Sequence, residues 1–157
     1  MKSMESMYVI IDTEFINNED PVDMSKKILA GVAKIIQLRN KIGTTLDTIK
    51  WGTEISNLCN EYEAISIIND RVDIACITNS DGVHLGQKDM DIKRAREVLK
   101  NKIIGITCNN SIKKAREALK NKADYIAIGA LNSSKTKKVK YRATIKDLKK
   151  IRSISAI

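Results

Sequence analysis

The chain has 157 residues, with 28 Lys+Arg against 19 Asp+Glu, 43% hydrophobic and 30% charged side chains, seven Gly and one Pro. That is the size and apolar content of one globular domain over residues 1–157, and it excludes collagen-like and disordered chains. No stretch approaches the roughly 18 apolar residues of a membrane helix, and MKSMESMYVIID reaches charge before a secretory core could form, so a cytoplasmic, membrane-free protein is expected.

In chain order, short β-branched runs at Tyr8–Asp12, Lys34–Leu38, Ile65–Ile68, Gly82–Leu85, Ile103–Thr107 and Asp124–Ile128 read as strands, with a seventh expected at Ser153–Ile157. Between them, helical spacing marks Met24–Ala30, Leu46–Glu61, Val72–Thr78, Ile92–Leu99, Ile112–Leu119 and Ile145–Ile151. Asp91 and Ser111 stand where N-caps start two of these helices, and Asp47 falls in the opening turn of another. DMDIKRAREVLKNKIIGI and NNSIKKAREALKNKADYIAI resemble each other and read as consecutive αβ units. Uninterrupted repetition of this kind leaves an open doubly wound sheet or a barrel. YVIIDTEFINNED lacks the glycine-rich turn of a dinucleotide or P-loop fold, so an α/β, (β/α)8 TIM-type barrel is preferred.

The net charge of +9 is polarised along the chain, with net −5 over residues 1–90 and net +14 over residues 91–157. A basic half attracts phosphate of any kind, but six aromatics and no nucleic-acid-binding motif speak against nucleic acid. Many of the lysines fall at surface spacing in the two similar segments, where the plain reading is a solvated face. Cys59, Cys76 and Cys108 are too widely spaced for a zinc or disulfide framework and are expected as small buried side chains.

Parallel barrels build their sites at the C-terminal ends of the strands. The residues there are Gln37, Arg39 and Lys41, then Asn69, Asp70 and Arg71, then His84, Gln87 and Asp89, then Thr107 and Asn109, then the loop GALNSSKTKK. Carboxylates, cations, amides and hydroxyls in one place suit a magnesium-bound polyphosphate. Taken singly, Asp70 can equally cap the helix near Val72, Asp89 can be a turn residue, and His84 can be an interior residue. Gln37 and Arg39 alternate onto one side of an apolar strand, where burial without a ligand would be costly.

IIQLRNK, INDR, DGVHLGQKDM, IIGIT and DYIAIG followed by SKTK, in this order over residues 7–138, resemble thiamine phosphate synthase. The resemblance implies a barrel that joins an aminopyrimidine methyl diphosphate to a thiazole phosphate and releases pyrophosphate. It implies Mg²⁺ held by Asp70 and Asp89, with Arg39, Lys41, Asn69 and Lys137 on the diphosphate. Gln37 and His84 would meet the pyrimidine, Thr107 would take the place of a pyrophosphate-binding serine, and Ser134 and Thr136 would be the surviving hydroxyl pair of the last loop. Arg39, Lys41, Thr107 and Lys137 are the residues expected to carry catalysis, and a homodimer is expected from the habit of the fold.

The loop after Gly129 lacks the family's two prolines and its aromatic, and the family's last βα unit has no counterpart in the 157 residues. An incomplete barrel of about seven strands, with activity impaired or reduced to pyrimidine diphosphate binding, is therefore the companion expectation. A thiazole tautomerase of the same fold would need a histidine where Asn109 stands, or Cys108 acting in its place as acid or base.

Overall fold

The computed structural model describes residues 6–132 and 142–154. Within them six strands alternate with six helices, an α/β fold whose described residues group into two compact units, one up to His84 and one from Leu85 onward. The first holds β1 (Met7–Asp12), α1 (Pro21–Leu29), β2 (Ala33–Arg39), α2 (Thr45–Glu61), β3 (Ile65–Asn69), α3 (Val72–Ile77) and most of β4 (Gly82–Leu85). The second holds α4 (Ile92–Leu99), β5 (Ile103–Asn109), α5 (Ile112–Lys120), β6 (Tyr125–Ile128) and α6 (Ile145–Arg152).

In the first unit β1 pairs with β2, β2 with β3 and β3 with β4, all parallel. Ile35, Ile36, Leu38, Ile65, Ile67 and Ile68 are each no more than 2% exposed, as strands covered on both faces must be. Helix α2 lays Ile55 and Cys59, one turn apart, into this core. Its start is fixed by a capping box in which Thr44 and Asp47 exchange backbone and side-chain hydrogen bonds, holding the Asp47 carboxyl below its usual range. Helix α1 starts three residues earlier than its apolar spacing suggests, because Asp20 caps it, accepting from the Val22 and Asp23 amides, and Pro21 presets its first turn.

In the second unit β5 pairs parallel with β6, with Gly105 opposite Tyr125. A Cβ built on Gly105 would lie 1.9 Å from the Tyr125 ring, so the bare backbone is the seat of that ring. Gly105→Ala is expected to displace Tyr125 and lower stability by about 1–3 kcal/mol, the usual cost of overpacking. Thermal melting with Tyr fluorescence checks this; an unchanged Tm means that the ring can swing away freely.

Each unit has the same device at the entrance of its strands. The Asp81 carboxylate, just before β4, accepts from the Ser66 amide at 2.8 Å and the Ser66 hydroxyl at 3.1 Å near the start of β3. The Asp124 carboxylate, just before β6, accepts from the Ile104 amide at 2.7 Å near the start of β5 and from Arg96 at 2.5 Å. Arg96 also donates to the carbonyls of Lys100, Lys102 and Lys122, so this arginine is held within the fold.

Two further expectations are corrected. Ser153 caps the end of α6 in helical conformation and Ile154 folds back on Ile151, so the described part of Ser153–Ile157 is not a strand; residues 155–157 lie outside the described residues. Cys59 and Cys108 are buried as expected, but Cys76 is exposed on the outer side of the short helix α3.

Candidate active site

Strand alternation and register place Tyr8, Asp12, Gln37, Arg39, Asn69 and His84 on one face of the first unit's sheet, toward the strands' C-terminal ends except for Tyr8. Gln37 is only 3% exposed. Its amide is held from both sides, accepting from the Tyr8 hydroxyl at 2.6 Å and donating to Asn69 Oδ1 at 2.8 Å. Arg39 Nη1 lies 2.5 Å from Asp12 Oδ2 and 3.9 Å from Glu14, so one corner of its fork meets both carboxylates. The expected cost of burying Gln37 and Arg39 without a ligand does not arise, because β1 and β3 supply their partners.

Just beyond the strand ends, Lys41 makes an ion pair with Asp70. Asp70 has a left-handed backbone (φ 62°), a conformation that Asp and Asn tolerate better than other side-chain-bearing residues. Its amide donates to the His84 carbonyl at 2.8 Å, extending the link to β4 by one residue while the chain turns away. The alternative role as a helix cap is not what the structure shows: the N-cap of α3 is Arg71, without a side-chain cap bond. Arg71 clamps Asp73 with two bonds, at 2.8 and 2.6 Å, and holds that carboxyl below its usual range, so its charge serves the first turn of α3.

In the second unit Asp89 accepts from the Gly86 amide at 2.7 Å, so the turn role of this carboxylate is real. Beside it lies a cleft of about 250 Å³ bounded by Gln87, Ile106, Lys114 and Glu117. Gln87 donates to the Thr107 carbonyl at 2.6 Å, tying this loop to the end of β5. The β5–β6 register slips between Thr107 and Asn109, leaving Cys108 as a bulged, buried residue. Burial pushes the Cys108 thiol up to about 11, so it is protonated at neutral pH and is no substitute for a tautomerase histidine. Ser134, Thr136 and Lys137 lie outside the described residues.

Among the described residues no group of three or more His, Cys, Asp or Glu side chains is placed to hold a metal ion. That does not disfavour magnesium, which typically takes one or two carboxylates and completes its shell with substrate phosphates and water. Asp70 and Asp89 are hard oxygen donors of the right kind. No helix among the described residues is long and apolar enough to cross a membrane.

Sequence reading missed Tyr8 and Asp12. Asp12 ends the first apolar run and was open to the same strand-end rule; Tyr8 was not, since its role depends on the register of β1 against β2.

Comparison with known proteins gives the family. The family model for thiamine monophosphate synthase matches residues 7–157. The thiamine-phosphate synthase of Pelagibacter ubique is 45% identical over 94% of this chain and 69% of its own length, and that of Fusobacterium nucleatum is 42% identical over 92% and 70%. A solved thiamine phosphate pyrophosphorylase from Pyrococcus furiosus superposes with a TM-score of 0.85 at 33% identity, over 97% of this chain and 71% of that one. With the amide, the cations and the carboxylates standing at the strand ends of such a fold, the chain belongs to the thiamine monophosphate synthase family.

Proposed function

We propose that the chain is the transferase that joins an aminopyrimidine methyl diphosphate to a thiazole phosphate with release of pyrophosphate, the thiamine phosphate-forming step of thiamine biosynthesis. Its frame in this reading is the (β/α) barrel, supported by the likeness to the Pyrococcus protein. The observation that carries the reading is the joint between β2 and β3, where Gln37 is bonded to Asn69 and Lys41 is paired with Asp70. An amide for the heterocycle thus stands beside cations and a carboxylate for its diphosphate.

The bond from the pyrimidine methylene to the diphosphate breaks, leaving the electron pair on the leaving oxygen, and the thiazole nitrogen then donates its pair to the methylene carbon. Negative charge grows on the departing pyrophosphate, so fixed donors there lower the barrier without reorganising. Arg39 and Lys41 supply such charge, held in place by Asp12 and Asp70. Asn69 and Thr107 are proposed to assist them, together with Ser134, Thr136 and Lys137 from the last loop. Gln37 and His84 hold the pyrimidine. Asp70 and Asp89 would each offer a carboxylate oxygen to Mg²⁺, which when bound neutralises diphosphate charge. A homodimer belongs to the same reading on the resemblance alone.

The test is incubation of the purified chain with Mg²⁺ and both substrates, reading thiamine monophosphate by thiochrome fluorescence. Product is expected, with Asp89→Ala lowering its rate at least about a hundredfold, as loss of one charge-stabilising group does. No product at high thiazole phosphate overturns the proposal.

A further inference from the structure

From the bonds made by one side chain just past the end of β2 we infer that Asn40 is a positioning residue for Lys41, and that residue 43 is glycine to leave room for its carboxamide. The inference rests on the proposed function in taking Lys41 as a cation for the diphosphate.

Residues 40–44 connect β2 to α2 and carry Lys41 at the strand end. This connection has no buried apolar side chain to fasten it: Ile42 is 69% exposed and Gly43 has no side chain. The Lys41 side chain is itself 43% exposed in its pair with Asp70, and an ion pair so open to water holds a lysine weakly. Where Lys41 stands therefore depends on how the backbone on either side of it is held.

The carboxamide of Asn40 does that holding. Its Oδ1 accepts from the Gly43 amide at 2.8 Å and from the Thr13 hydroxyl at 2.8 Å. Its Nδ2 donates to the Thr48 hydroxyl at 2.9 Å and, at a longer 3.5 Å, to the Thr44 carbonyl. Two of these partners settle which way the amide faces. A backbone N–H only donates, so Gly43 requires the oxygen, and the Thr48 hydroxyl gives its proton to the Thr44 carbonyl at 2.9 Å, which leaves it to accept. Both N–H groups and both lone pairs of the carboxamide are thus engaged, with the loop after β1, the turn after Lys41 and the start of α2. Thr13 is tied in turn to the strand end, its amide donating to the Arg39 carbonyl at 3.0 Å, so the carboxamide is anchored to the sheet.

Gly43 bears the mark of this arrangement. A Cβ built there would lie 2.6 Å from Asn40 Nδ2 and 2.8 Å from Oδ1. Its backbone is not left-handed, so conformation does not demand glycine at this position, and the carboxamide beside it does. The end of an asparagine side chain ordinarily swings clear of such a contact, but this one is held by Thr13, Gly43, Thr44 and Thr48 together.

The test is steady-state formation of thiamine monophosphate by wild type, Asn40→Ala, Gly43→Ala, Lys41→Met and the two double variants with Lys41→Met, with rates divided by the folded fraction from melting curves. Asn40→Ala and Gly43→Ala are each expected to lower kcat at least about tenfold, the effect of a misplaced charge, with KM for the pyrimidine diphosphate within about threefold. In the Lys41→Met background neither is expected to lower kcat by more than about a further twofold, because the cation they place is gone. A merely structural Asn40 would lower Tm and leave kcat per folded molecule at the wild-type value, or lower it by the same factor in both backgrounds; either result overturns the inference. Hydrogen exchange on wild type needs no variant to fold: the Gly43 amide is expected to exchange at least about tenfold more slowly than in an unfolded chain, and an unprotected amide overturns the inference as well. If Gly43→Ala alone is as active as wild type, the reason given for the glycine falls. If wild type forms no product, the proposed function falls and this inference with it; if wild type is active and both variants match it, only the role of Asn40 falls.

Discussion

Asp70→Asn is expected to lower kcat/KM for the pyrimidine diphosphate by at least about a hundredfold while leaving Tm within a few degrees of wild type. The contrast follows from what the side chain does in the fold. Its side chain pairs with Lys41, whose own side chain is 43% exposed, and an ion pair of that kind contributes about 0–1 kcal/mol. The backbone at this position does more than the side chain: with φ at 62° it turns the chain after β3, and its amide holds the His84 carbonyl. Asparagine keeps the left-handed preference and removes only the charge. Alanine would confound the two, because it adds a conformational penalty of about 1 kcal/mol at positive φ. Steady-state rates beside melting curves check this, with the Mg²⁺ concentration for half-maximal rate expected to rise. An Asp70→Asn variant that keeps its rate within a few-fold removes this carboxylate from the diphosphate site.

Arg96→Ala is expected to give the opposite pattern, a loss of about 2–4 kcal/mol and roughly 5–12 °C in Tm, with kcat little changed below the melting range. The guanidinium donates to the carbonyls of Lys100 and Lys102 after α4, to that of Lys122 after α5, and to Asp124. Without it three carbonyls at helix ends and one carboxylate lose a donor together. Arg96→Lys is expected to recover little, since one ammonium cannot reach acceptors spread around a planar fork. Denaturant unfolding of the three proteins decides it. A lysine variant as stable as wild type means that the charge, not the geometry, holds these elements.

Strand positions were legible because parallel strands covered on both faces leave near-continuous apolar runs, and β1 to β6 fall within two residues of where those runs end. The helices whose caps were read, at Asp91 and Ser111, start where expected, with those side chains accepting from Arg94 and Lys114. Helix α1 was misjudged at its start because apolar spacing begins only inside it; the signal was polar, an aspartate followed by proline. In the site, Gln37, Arg39, Lys41, Asn69 and Asp70 were legible because position along a parallel strand tells which end a residue occupies. Partnership was not. Arg96 and Arg116 hold equivalent places in two similar segments, yet Arg96 is tied to Asp124, 28 residues on, while Arg116 is exposed. A local pattern cannot tell them apart, since the difference lies in a contact made only after the chain has returned. Cys76 went wrong similarly: its exposure follows from which side of α3 faces the sheet, and a six-residue helix carries too few apolar positions to say.

The carboxylates at the strand entrances, Asp81 against Ser66 and Asp124 against Ile104, divide the labour along each strand. The entrance is fastened by carboxylate bonds to strand amides, and the exit carries the residues proposed to meet substrate. In a library of single variants this would separate into two classes. Changes at Asp81, Asp124 or Arg96 would be recorded by how much protein accumulates, and changes at Gln37, Asp70 or Asp89 by whether a thiamine auxotroph grows at an undiminished protein level. A chain organised in this way can drift or be stabilised at one end of its strands without altering the chemistry at the other.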